Sequence, residues 1–366
     1  MFTGTDPPLF AFIIHPRDVG DLTRWPGSRL VRDYSAGEAD FVRKINTMEP
    51  VVIGDIVFGP GSPRGELLGV MRMPDRIVGP GGQAAVAQGV RVAAKRGVRT
   101  VGLGALTAPI TAAGRTLMRD LPVGVTLTTG NAFTAAVAHR NVMDAAEALG
   151  LGTAARVAVL GATGSVGVPA SHLLVDEGFR VSLFGRNANR LRATVGDLRG
   201  RADFATDLAE LRSADMVLVL TSGGTSRIRS EHLADGTVVI DVAQPANVGP
   251  ELRESLARRA VRVVEGGLAR IPGYRCTYDL NISDPAGTFA CLAETYILAR
   301  SGVTEHSVGA IPPERARRFA RMAAWHGVRV APLPLGPEIA RTPVTTGPSL
   351  PGSPGTAEEG GATCPE

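Results

Sequence analysis

Apolar residues along the chain fall into short unbroken runs, and between many of them lie stretches where apolar positions recur at helical spacing. The runs at 9–14, 50–58, 157–160, 179–184, 216–220, 237–241 and 261–265, and the one beginning at 101, predict strands. Helical spacing predicts helices over 82–96, 131–149, 288–300 and 313–325. Strands that are apolar at every position need cover on both faces, so the pattern predicts α/β architecture with parallel sheets. Residues 1–127 are read as a first, substrate-binding α/β domain, and 154–284 as a second, joined by a linking helix within 128–153. Residues 285–332 form a C-terminal helical segment. The Pro/Gly-rich stretch 333–366 predicts a disordered tail, and Cys364 belongs to it.

The strand at 157–160 runs into Gly161-Ala-Thr-Gly164-Ser-Val-Gly167 and then a helix and a second strand. A plain strand-to-helix turn could use the same glycines. Flanked in this way, however, they sit where a backbone must turn tightly and approach a pyrophosphate, which predicts a Rossmann-like doubly wound domain. Gly161, Thr163, Gly164, Ser165, Val166 and Gly167 are the candidate phosphate-binding residues. The second strand ends Phe184-Gly185-Arg186-Asn187-Ala188-Asn189-Arg190, with no carboxylate for a ribose 2′-hydroxyl. Arg186, Asn187 and Arg190 suit a 2′-phosphate instead, so the expected cofactor is NADPH. Thr221 and Ser222, at the carboxyl end of a later strand, are further candidate cofactor residues.

Composition narrows the field. At 366 residues with 44% hydrophobic content the chain can build two cores. No apolar run approaches the ~18 residues of a membrane span, and the start lacks the basic segment of a signal peptide, so a cytoplasmic protein without a membrane span is expected. The charge of +4 is dispersed and aromatics are only 5%, which argues against nucleic-acid binding. Three cysteines without ligand spacing indicate neither disulfides nor a metal site.

Absent residues remove several chemistries. Lys44 and Lys95 are the only lysines, and no tyrosine has a lysine four positions on, which excludes the Tyr-x-x-x-Lys dehydrogenases. Neither a G-x-S-x-G elbow nor H-E-x-x-H occurs. What remains is Thr288-Phe-Ala-Cys291-Leu-Ala-Glu294-Thr-Tyr296. On a helix, Phe289, Leu292 and Tyr296 share an apolar stripe that leaves Cys291 aside. With Thr288 as cap, Cys291 falls in the first turn, where the helix dipole lowers a thiol pKa. A helix starting at Pro285 would weaken that effect, and a small buried thiol is the structural alternative.

These residues, together with Thr128-Thr-Gly130-Asn131-Ala-Phe-Thr134-Ala135, resemble the cyanobacterial-type aldehyde-forming long-chain acyl-[acyl-carrier-protein] reductases. The resemblance spans about residues 10–332 and is best over 128–192 and 214–300. It implies an NADPH-dependent reductase that accepts an acyl group from acyl carrier protein or acyl-CoA onto Cys291 and releases it as an aldehyde. His15 and His326 stand where the family has histidines and could protonate the thiohemiacetal oxygen. Thr129 and Asn131 could bind the thioester or the nicotinamide, although Asn131 could equally cap a helix. The basic run 313–321 could dock an acidic carrier. The chain departs from the family at Phe133, in place of histidine, and at Gly104-Ala105, in place of Gly-Gly. Two other readings stay open: a shikimate-dehydrogenase-like oxidoreductase relying on Lys44 or Lys95, and a non-enzymatic NADP-binding sensor.

Overall fold

The computed structural model describes residues 8–59, 62, 64–221 and 228–335. Two six-stranded sheets organise it. The first contains β1 (Phe10–Ile14), β2 (Val51–Val57), β3 (Gly65–Gly69), β4 (Thr100–Leu103) and β5 (Thr126–Thr128). Strands β3, β1, β4 and β5 run parallel, and β2 pairs antiparallel with β3. Helices α1 (Val19–Arg24), α2 (Ser28–Asp33), α3 (Glu38–Ile45), α4 (Pro74–Ile77), α5 (Gly82–Lys95) and α6 (Thr107–Ile110) belong to this lobe. The apolar runs behave as double-sided cover requires: every residue of β4 is buried, and so is β1 up to Ile13.

Helix α7 (Asn131–Ala148) carries the chain between lobes. Its small side chains let it pack closely on both sides. Ala132 to Val137 join the core beneath the first sheet, whereas Ala138 to Ala146 join that of the second. Asn141, mid-helix and buried, accepts the Gly267 amide at 2.9 Å and pins α7 to the end of the second sheet.

That sheet comprises β6 (Arg156–Leu160), β7 (Arg180–Phe184), β8 (Asp203–Ala205), β9 (Met216–Val219), β10 (Val238–Asp241) and β11 (Arg262–Glu265), with α8 (Gly167–Glu177), α9 (Ala188–Val195) and α10 (Pro250–Ala257) between them. All its strands are parallel, in the order β11-β10-β9-β6-β7-β8. This is the doubly wound order, in which the winding reverses between β6 and β9. The Rossmann-like α/β class expected from sequence is therefore the class observed.

After β11 the chain departs from the simple two-domain division. A three-stranded antiparallel sheet forms from β12 (Leu268–Arg270), β14 (Thr288–Phe289) and β15 (Arg329–Val330), while β13 (Arg275–Cys276) returns to the first sheet and pairs with β2. Residues 275–276 thus belong physically to the first lobe. Helices α11 (Ala290–Ser301) and α12 (Pro313–Trp325) pack against α7. Of the stretch expected to be disordered, 336–366 lie outside the described residues. Leu333 and Leu335 instead pack half-buried against the core of the second lobe, because two leucines at alternate positions can cover an apolar edge. Among the described residues no helix is long and apolar enough to cross a membrane.

Candidate functional site

The glycine turn sits at the winding reversal, after β6, with Thr221 following β9 beside it. Gly161 adopts φ +90°, a left-handed conformation that side chains disfavour. A Cβ on Gly167 would lie 2.1 Å from the Gly161 carbonyl oxygen, so its absence lets α8 begin directly against the turn. Gly164 is less constrained, its Cβ standing 3.2 Å from the same oxygen. Thr163, Ser165 and Val166 are half-buried along this turn, and Val166 caps α8 without a side-chain bond. Among the amides opening α8, Val168 and Ala170 already donate to the Gly164 and Val166 carbonyls at 3.0 and 3.1 Å and Pro169 has none, so the Gly167 amide, backed by the helix dipole, is the one offered to an anion.

At the end of β7, Arg186 and Arg190 are exposed, and among the described residues no carboxylate pairs with either. The Asn187 side chain caps α9 by accepting the Arg190 amide at 2.9 Å. Thr221 is held by Asn247, whose amide donates to its hydroxyl at 2.8 Å and its carbonyl at 2.7 Å. Ser222 lies outside the described residues.

Carboxyl ends of both sheets face a narrow cleft, on whose wall stand His15, Arg17, Ala105, Gln244, Phe289 and Cys291. Cys291 is the second residue of α11, and Phe289, not Thr288, is the cap, extended and without a side-chain bond to the helix. The first-turn placement expected of Cys291 is therefore observed, but the lowered pKa is not. Burial pushes the thiol up to about 12, and the neighbouring Glu294 carboxyl adds to the rise; the Leu292 amide opposes both and is too weak to prevail. The thiol is protonated near neutral pH.

Helix α11 is buried on nearly every side, not along one stripe. Gly130 makes that possible: at φ +73°, its Cβ would stand 2.1 Å from the Cβ of Cys291. Glu294, wholly buried one turn beyond the cysteine, accepts the Thr128 hydroxyl at 2.6 Å and the Phe133 amide at 2.7 Å. Burial holds its carboxyl above the usual range. It ties the cysteine helix to the β5–α7 turn, and Phe133 contributes through its backbone.

The two histidines separate. His15 is buried, accepts the Leu106 amide at Nε2 (3.3 Å) and pairs Nδ1 with the Pro16 carbonyl at 2.8 Å. These partners require Nδ1 to carry the proton. Burial lowers its pKa to about 4, so His15 is neutral near pH 7 and is neither a ready-made acid nor an effective base. His326 is not brought to the cleft. It caps α12 and bonds Ser301 at 2.8 Å, at the far end of α11, roughly 15 Å along the helix from Cys291. A direct role at Cys291 is corrected by that distance.

Thr129 is buried, with both its amide and hydroxyl committed to the Ser307 carbonyl at 3.0 and 3.2 Å, so it does not offer a free donor to a substrate. Asn131 is the first residue of α7 and not its cap, a position taken by Gly130, and it remains half-buried. Lys44 bonds Asp40 and Lys95 is exposed at the end of α5; neither lines the cleft. Arginines of α12 are largely spoken for, Arg317 by Asp176 at 2.5 Å and Arg318 by Glu305 at 2.8 Å. A larger groove between α7, α8 and α12 contains neither Cys291, His15 nor the glycine turn.

Arg17, Asp21 and Gln244 carry no motif in the sequence; the one available signal is the run His15-Pro16-Arg17-Asp18 directly after an apolar strand. His15 also gives stability a pH dependence. Unfolded histidine binds a proton below about 6.5, whereas folded His15 resists it until about 4, so stability present above 6.5 is lost as pH falls through this window. His139 and His326, also lowered by burial, act in the same direction. Urea unfolding of wild type and His15→Gln at pH 7 and pH 4.5 should show a shallower loss in the variant, the His15 share approaching about 3 kcal/mol at the acid end.

Residues 144–264 match the family model of shikimate / quinate 5-dehydrogenase. Over a longer span the chain is 25% identical to the aminotransferase PigE of a Serratia species, covering 88% of this chain and 40% of that protein. It is 33% identical to the bifunctional protein FolD 1 of Rhodococcus jostii across 34% of this chain and 36% of that one. The chain thus spans well under half the length of either curated relative. Among solved structures, L-tryptophan dehydrogenase from Nostoc punctiforme superposes with a TM-score of 0.36 at 13% identity, over 72% of this chain and 71% of its own. The second lobe, with its doubly wound order and its family match, is a dehydrogenase-type NAD(P)-binding domain and supports an NAD(P) oxidoreductase.

Proposed function

We propose that the protein is an NADPH-dependent reductase that converts acyl thioesters, carried by acyl carrier protein or CoA, to aldehydes through an acyl group on Cys291. The observation that carries this reading is the placement of Cys291 at the start of α11, in a cleft between the carboxyl ends of both sheets. Neither lysine of the shikimate-type alternative reaches that cleft.

The nucleotide site fits the cofactor. Gly161 and Gly167 bring backbone close to where a pyrophosphate lies, and the exposed Arg186 and Arg190 suit a 2′-phosphate. NADPH, when bound, supplies the hydride. Arg186→Ala should weaken NADPH about tenfold or more while changing NADH less than about twofold in a fluorescence titration. Equal losses would contradict the 2′-phosphate assignment.

In acyl transfer the Cys291 sulfur bonds the thioester carbonyl carbon, the bond to the donor sulfur breaks, and the thiol proton ends on the departing sulfur. His15, with its pKa lowered by burial and its Nε2 accepting the Leu106 amide, is a weak base there and shapes the cleft wall without taking that proton. Glu294 and Gly130 hold the sulfur in register. Reduction of the acyl-cysteine to a thiohemiacetal and its collapse give aldehyde and free Cys291. The longer Serratia relative is named an aminotransferase, and an aldehyde is a carbonyl acceptor for such an enzyme, so a thioester-reducing segment is a chemically consistent companion.

Stoichiometry tests the reaction class. One NADPH should be consumed per aldehyde formed and per thiol released from an acyl-CoA; oxidation without thiol release would refute it.

A further inference from the structure

Arg17 stands on the wall of the Cys291 cleft in the loop after β1. Asp21, 4% exposed, grips it through Nε at 2.8 Å and Nη2 at 2.9 Å, and also accepts the Arg17 amide. Nη2 donates in addition to the Leu280 carbonyl at 2.8 Å, and Nη1 to Gln244 of the second lobe at 3.1 Å. Among the described residues four of the guanidinium's five N–H groups are therefore engaged, leaving one Nη1–H. Asp21 also accepts from Arg24 at 2.6 Å, itself 3.5 Å from the exposed Asp279, so one buried carboxylate is divided between two cations. The guanidinium carbon lies 6.0 Å from the ring centre of Phe289, two residues before the cysteine.

A rigid cation with one unspent donor, facing the cleft that holds a nucleophile, is the arrangement that stabilises charge appearing during acyl transfer. We propose that Arg17 is a catalytic residue whose free Nη1–H donates to the thioester carbonyl oxygen as the Cys291 sulfur adds and the carbonyl electron pair moves onto that oxygen. The pair returns when the donor thiol leaves, and Arg17 keeps its proton throughout. The same contact serves the acyl-cysteine carbonyl during reduction. This assignment rests on Cys291 being the acyl acceptor.

Two reactions of the same sulfur test it. Octanoyl-CoA acylates Cys291 through an oxyanion, whereas iodoacetamide alkylates it by displacement at a saturated carbon and builds none. Both rates are followed by intact-protein mass, without NADPH, for wild type, Arg17→Gln and Arg17→Lys. Acylation should slow about 100-fold or more in Arg17→Gln. Alkylation should stay within about threefold of wild type, which also shows that the cleft is intact, and Arg17→Lys, which keeps the cation and the Asp21 pair, should recover part of the acylation rate. Equal slowing of both reactions, or unchanged acylation, would overturn the assignment. Absence of any adduct on wild type would overturn the acyl-enzyme reading and, with it, this role.

Discussion

Gly130→Ala should abolish aldehyde formation and destabilise the fold, although Gly130 has no functional group to lose. At φ +73° an alanine is strained by about 1–2 kcal/mol. Its Cβ would stand 2.1 Å from the Cβ and 2.2 Å from the Cα of Cys291, so α11 must move away from the β5–α7 turn. Overpacking of this kind costs about 1–3 kcal/mol, which with the strain gives a total of roughly 2–5 kcal/mol. The shift also breaks the register that Glu294 maintains with Thr128 and Phe133. Misplacing a nucleophile by about 1 Å can cost about 100-fold in rate. Denaturant unfolding and NADPH oxidation on an acyl-CoA check both effects. Dinucleotide affinity should survive, because the Gly161–Gly167 turn lies in the other lobe. A fully active, equally stable variant would show that α11 does not seat on this glycine.

The second large effect is expected at Gly167. Alanine there would put Cβ 2.1 Å from the Gly161 oxygen and 2.9 Å from the Ala162 Cα, both backbone atoms that cannot rotate aside. Helix α8 must be displaced from the end of β6, taking the Gly167 amide and the helix N-terminus away from the phosphate position. NADPH and NADH should both weaken by about 100-fold or more, the loss of charge-assisted bonds to a pyrophosphate. Gly164→Ala, with a 3.2 Å contact, should be milder. Isothermal titration of both variants distinguishes this order from the reverse. The effect differs in kind from that of Arg186→Ala, which should separate the two cofactors instead of weakening both.

The second lobe was legible in the sequence because its determinants are local. A buried parallel strand must be apolar at each position, and the glycines at 161, 164 and 167 directly join such a strand to a helix. The small sheet of β12, β14 and β15 was not legible, since strands of two or three residues are too short to show a period. Nor could the return of Arg275 and Cys276 to the first sheet be read, because their partner in β2 lies more than two hundred residues earlier.

Cys291 shows the same division within one residue. Its first-turn position follows from local pattern, and the dipole argument predicts a lowered pKa. What decides the pKa is burial, supplied by packing that brings Gly130 and the enclosing elements together from distant parts of the chain. His326 likewise occupies the expected helix end, but its distance from the cysteine depends on which end of α11 meets α12. Arg17 has no motif because, beyond the local Asp21, its partners Leu280 and Gln244 reach it only after both lobes have folded.

The central claim, that Cys291 carries the acyl group, is tested most directly by the intact mass of wild type and Cys291→Ala after incubation with acyl-carrier-protein and acyl-CoA thioesters, first without NADPH and then with it. The account predicts a single acyl adduct on wild type only, discharged as aldehyde when NADPH is added, with NADPH binding retained in Cys291→Ala. Aldehyde formation by Cys291→Ala, or NADPH binding without any adduct on wild type across donors and chain lengths, would contradict it.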